Sequence, residues 1–112
     1  MPNKSGRINE QEVAAGVLKY LAQSHSAHAT VAELVRVLPD YLDLNDADLE
    51  ASETRGNEAV WEQQVRNIIS HRGTQGNAIN DGLLEYTPKG LDRHGHLRIT
   101  DAGRFWVNER RP

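Results

Sequence analysis

The segment from Asn57 to Arg72 constrains this chain most, because at about 100° per residue it sorts into two faces of opposite chemistry. Trp61, Val65, Ile68 and Ile69 gather into one apolar stripe, so the segment reads as a helix that must bury that stripe against other elements. On the other side stand Gln63, Arg66, Asn67 and Ser70. An ordinary surface helix tends to carry Lys and Glu there. Amides, a guanidinium and a hydroxyl are instead the groups that reach base edges in a DNA major groove.

A chain of 112 residues supports one modest core and is too short for two. Only 38% of it is hydrophobic and the mean hydropathy is -0.67, which predicts a compact fold with a large wetted surface. No apolar run approaches the roughly 20 residues a membrane span needs. The N-terminus lacks a basic-then-apolar pattern, so export is not expected. The absence of cysteine leaves no disulfide and no thiolate metal site, and a reducing cytoplasm is the expected location.

A net charge of -3 argues at first against a partner made of phosphates. The charge is unevenly spread, however. Residues 1 to 58 hold five Lys/Arg against ten Asp/Glu, whereas residues 59 to 112 hold eight against six. Asp40, Asp43, Asp46, Asp48, Glu50 and Glu53 follow one another with no base among them. That stretch reads as a solvated loop or short helix, with a partner-binding patch as the alternative.

Local signals place the remaining elements. Residues 1 to 8 are polar and read as a loose tail, with a single domain over residues 9 to 112. Asn9 and Glu12 form a capping-box pair ahead of Val13, Val17, Leu18 and Leu21, which predicts a first helix from about Glu10 to Gln23. Ala27 to Ala29 is a candidate brief strand. Thr30 with Glu33 opens a second helix whose buried face is Val31, Leu34, Val35 and Leu38, and Pro39 marks its end. Leu42, Leu44 and Leu49 hint at a short amphipathic turn, and Asn57 is the expected cap of the third long helix. Asn77 to Gly82 is a candidate helical turn. Leu83 to Tyr86 and Leu97 to Ile99 read as strands joined by a loop with Pro88, Gly90 and Gly95, and Thr100 caps a last helix to about Val107.

This order predicts an α+β chain of the winged helix-turn-helix kind, with three core helices, a small antiparallel β-sheet, a wing and a C-terminal helix. The third helix would enter the groove. The wing would bring Lys89, Arg93, His94 and His96 to the phosphate backbone.

Three runs carry a resemblance: Trp61-Glu-Gln-Gln-Val-Arg-Asn, Gly82-Leu-Leu-Glu-Tyr and Arg98-Ile-Thr-Asp-Ala-Gly-Arg104. Over residues 10 to 107 the chain resembles the N-terminal winged-helix domain of Mrr-type restriction endonucleases. The resemblance implies a DNA-targeting module with a fused or associated nuclease domain. The chain departs from the pattern between Ser70 and Asp81, which is longer than a turn of a few residues. With Ser70, His71, Arg72, Gly76 and Asn77 in that insertion, it is similar to winged helices fused to nucleases, a broad group in which some members bind adenine-methylated DNA.

The expected DNA-binding residues are Gln63, Arg66, Asn67, Ser70, His71, Arg72, Lys89 and Arg93. Gln63 and Asn67 can each pair bidentately with adenine, Arg66 with guanine or phosphate, and His71 and Arg72 with phosphate. Trp61 has two readings, a wall for the methyl group of a modified base or a core residue, and its place in the middle of the stripe favours the core. Trp106 beside Phe105 also reads as a packing residue. His25 and His28, or His94 and His96, lack the further ligands a zinc site needs, so no metal and no cofactor is expected. Asp81, Glu85 and Lys89 lack the acid, one residue, lysine spacing of restriction nucleases, so the chain itself is not expected to be an enzyme. The expected partner is therefore double-stranded DNA, with N6-methyladenine within the expectation. The alternative is a protein-interaction module or transcription regulator that uses residues 40–53.

Overall fold

The computed structural model describes residues 8–52, 58–88 and 95–109. Its elements run α1 (Glu10–Gln23), β1 (His28–Thr30), α2 (Val31–Val37), a 3-10 turn (Leu38–Asp40), α3 (Asp46–Leu49), α4 (Val60–Ser70), β2 (Leu84–Thr87), β3 (His96–Ile99) and α5 (Asp101–Glu109). Among the described residues it is a mixed α+β fold with five helices and a small three-stranded antiparallel sheet. Among the described residues no helix is long and apolar enough to cross a membrane.

α1 begins where its local code directs. The Asn9 side chain accepts from the Glu12 N–H at 2.8 Å and the Glu12 carboxylate accepts from the Asn9 N–H at 2.9 Å, which satisfies two of the free donors at a helix start. Val13, Val17, Leu18 and Leu21 are all buried along one face. At α2 the capping box is only half made. Thr30 Oγ1 accepts from the Glu33 N–H at 3.1 Å, but the Glu33 carboxylate accepts from the Tyr20 hydroxyl on α1 instead of reaching back to the cap. Pro39 sits inside the 3-10 turn that ends this helix.

The sheet has the order β1-β3-β2, so the chain's last strand is central. Ala29 faces Leu97, and Leu84 and Tyr86 face Ile99 and Leu97. With side chains alternating across the sheet, Ala29, Leu84, Leu97 and Ile99 point into one buried layer while His28, Glu85 and Arg98 stay exposed. α5 closes over this layer. Thr100 Oγ1 accepts from the Gly103 N–H at 3.0 Å and donates to the Gly82 carbonyl at 2.6 Å, so the cap also ties α5 to the segment before β2. Gly103 is needed for that approach: a Cβ there would lie 2.3 Å from the Leu83 carbonyl oxygen.

The structure shifts several boundaries and corrects two assignments. The expected strand at 27–29 lies one residue later, and the last helix runs two residues past Val107. Asn77 to Gly82 forms the expected helical turn, with the Asp81 N–H donating to the Asn77 carbonyl at 2.8 Å, and Asn77 organises it, its Oδ1 accepting from the Ile79 and Asn80 N–H groups at 2.8 and 3.2 Å. Ile8 does not belong to a loose tail. Its side chain is buried in the core and its N–H donates to Asp48 Oδ1 at 2.7 Å. Asp48 is no solvated acid either, being fully buried at 0% exposure, and its Oδ2 also accepts from the Asn45 N–H at 3.0 Å. Asp40, Asp43, Asp46 and Glu50 are exposed as expected, and Glu53 lies outside the described residues.

Candidate nucleic-acid interface

α4 is held by its apolar stripe. Trp61, Val65 and Ile68 are buried, and the helix packs on α1, α2 and α3. Its first residue is Val60, later than the sequence suggests, and Asn57 lies outside the described residues. The reason is a short extended pairing just before the helix. The Ser52 N–H donates to the Glu58 carbonyl and the Val60 N–H to the Glu50 carbonyl, both at 2.8 Å, which keeps Ala59 extended at φ -78° and ψ 154°. The Glu62 carboxylate then accepts from the Ala59 N–H at 2.9 Å and stands in for the missing side-chain cap.

Burial of that stripe sends Gln63, Arg66, Asn67 and Ser70 to the outward face. Gln63 and Ser70 are exposed and have no hydrogen-bond partner among the described residues. Asn67 is half-buried, and its Nδ2 donates to Gln64 Oε1 at 3.0 Å. Gln64 Nε2 in turn donates to the Ile8 carbonyl at 3.4 Å. An amide has one acceptor and two N–H donors, so Asn67 keeps its carbonyl and one N–H open while Gln64 fixes its orientation. Gln64 was not among the expected site residues. The signal for it is its spacing of three residues from Asn67, which puts the two amides side by side on a helix.

Arg66 stands differently from its expected role. Both terminal nitrogens of its guanidinium donate to the Glu58 carboxylate in a bidentate pair. Its Nε is buried with no hydrogen-bond partner. The hydrogen bond to Glu58 raises the Arg66 pKa above its ordinary value, against partial burial that lowers it, with the charges of Glu58 and Glu62 adding to the rise. Arg66 therefore fastens the segment before α4 and is not a free cation.

His71 and Arg72 also hold structural posts. His71 Nδ1 lies 2.6 Å from Glu10 Oε1, joining the end of α4 to the start of α1. Arg72 Nη1 donates to the Ile69 carbonyl at 2.9 Å, which satisfies a last-turn acceptor, and its guanidinium lies 5.2 Å from the centre of the Tyr86 ring. Both side chains remain exposed, and each gives one nitrogen to the fold. Lys89, Arg93 and His94 lie outside the described residues. His96 sits on β3 with its ring 5.3 Å from that of His28.

Trp61 is 3% exposed and belongs to the core cluster. A base could meet its ring only after core residues had moved away, so Trp61 is removed from the set of base-contacting residues. What the described part of α4 offers a ligand is a polar strip of Gln63, Asn67 and Ser70, with the helix's own cation, Arg66, already paired. No family model, curated protein or solved structure matches the chain.

Proposed function

We propose that the chain is a winged helix that binds double-stranded DNA through α4 and serves as the targeting module of a restriction or defence nuclease, with N6-methyladenine as the modification to test first. The observation that carries this reading is the outward strip of Gln63, Asn67 and Ser70, opposite a buried stripe that fixes the helix on the core. The sheet order β1-β3-β2 supports it, because β2 and β3 are consecutive antiparallel partners, as the two strands that flank a wing are. Two amides with open donor and acceptor sites match the adenine edge better than any other base.

Replacing Asn67 by alanine is expected to weaken duplex binding by about 1–3 kcal/mol and to relax base preference. The measurement is a titration of matched duplexes that are plain, adenine-methylated or cytosine-methylated. An unchanged affinity and preference in Asn67→Ala would remove α4 from the readout.

A second reading has its own observation. Asp43, Asp46 and Glu50 are exposed around α3, which packs on α4, and Arg66 is neutralised by Glu58. Such a surface suits a basic protein partner. Reversing Asp43, Asp46 and Glu50 to lysine should abolish capture of that partner while leaving duplex binding intact. An unchanged set of captured proteins would count against the second reading.

A further inference from the structure

The outward face of α4 contains a cation that is withheld. Arg66 lies beside Gln63, Asn67 and Ser70 on the helix, and side-chain exposure is 27% for Arg66 and 11% for Glu58. Glu58 takes both terminal nitrogens, and Glu62 one turn earlier on the helix adds a second carboxylate nearby. The local balance of Glu58, Glu62 and Arg66 is one negative charge. Glu58 belongs to no helix and is set against Arg66 by its own carbonyl, which accepts from the Ser52 N–H, and by the Val60 N–H, which donates to the Glu50 carbonyl.

We propose that Glu58 limits the sequence-independent affinity of the DNA site: by occupying Arg66 it removes one phosphate contact from binding to every duplex and leaves discrimination to the neutral groups of α4. The inference rests on the DNA reading of that face. Its physical basis is that phosphate contacts supply affinity without sequence information, whereas base-edge hydrogen bonds supply the information. A carboxylate fixed on the cation competes with every phosphate alike. It lowers binding to all duplexes by the same factor and leaves their ratio to the base-edge contacts.

The test is a salt titration of duplex binding by wild type, Glu58→Gln, Arg66→Gln and the double variant, on a preferred and an unrelated duplex. Release of Arg66 adds about one counterion-releasing contact. Glu58→Gln should therefore bind the unrelated duplex about tenfold more tightly at 50 mM salt and about threefold at 200 mM, with a log–log salt slope steeper by about 0.9. The ratio between preferred and unrelated duplex should stay unchanged, since a phosphate contact carries no sequence information. The double variant should lose the whole gain, since the cation that supplies it is gone. A gain that survives in the double variant would show a general charge effect and overturn the proposal. If Glu58→Gln does not fold, Glu58→Asp, which keeps the charge but shortens the reach by one methylene, should show a smaller gain of the same sign, and no gain there would overturn the proposal too. Duplex bound equally by wild type and Glu58→Gln sinks this inference alone. Duplex bound by neither sinks the DNA reading and the inference with it.

Discussion

Replacing Trp61 by alanine is expected to cost about 3–5 kcal/mol of folding free energy, because the ring is 3% exposed and its removal leaves a cavity that the surrounding core cannot fully close. For a domain of this size the melting temperature should fall by roughly 12–20 °C. The variant also separates the two roles the residue could have. A tryptophan that walls a methyl group at the surface costs little stability when removed and erases the difference between methylated and plain duplex. A core tryptophan does the reverse, and Trp61→Phe, which keeps an apolar ring in place, should bind both duplexes in the wild-type ratio. Trp61→Ala with an unchanged melting temperature and lost methyl discrimination would place the ring outside the core.

The second large effect is expected at Asp48. Its two carboxylate oxygens accept from the N–H groups of Ile8 and Asn45, at 2.7 and 3.0 Å, and the residue is 0% exposed. Asp48→Ala removes two hydrogen bonds to a charged acceptor and strands two donors in a site closed to water, for a loss of about 2–5 kcal/mol. Ile8 should leave the core with it, since that backbone bond anchors the entry to α1 across 40 residues of chain. Asp48→Asn is the sharper probe. The amide keeps one acceptor but turns an N–H toward the other donor, so it should recover less than half of the loss, as measured by chemical denaturation. Asp46→Asn, exposed two residues away, should change stability by less than about 0.5 kcal/mol. Equal stability of Asp48→Asn and wild type would mean that the buried carboxylate contributes nothing.

These two residues differ in how far they could be read in advance. Trp61 stands in a stripe with Val65 and Ile68, and a stripe at helical spacing has to be buried by something, so its place in the core follows from local pattern alone. Asp48 stands in a run of acids, where the pattern points to solvent. Its position three residues after Asn45 does encode the capping box that opens α3. Nothing local encodes its depth, which depends on the chain returning from Ile8 to cover it.

The candidate site divides in the same way. That Gln63, Asn67 and Ser70 share the face opposite Trp61 is a consequence of helical geometry and was legible from their spacing. That Arg66 is spent on Glu58 was not, because the two are eight residues apart across a helix start, outside the spacings at which helical neighbours pair. His71 and Glu10 are 61 residues apart and meet only because α1 and α4 pack together.

By itself, then, the sequence determined the periods, the caps and the order of elements: the Asn9–Glu12 box, the alternation of His96-Leu97-Arg98-Ile99, the two faces of α4. Each is settled within a few residues, by sterics and by the need to satisfy backbone groups at element ends. Only the tertiary structure decided which polar groups are free to meet a ligand and which are already consumed by the fold. Ion pairs and hydrogen bonds between distant segments depend on the path of the whole chain, and that path turned four of the polar groups that a linear reading leaves in solvent, Asp48, Glu58, Arg66 and His71, into fasteners of the molecule.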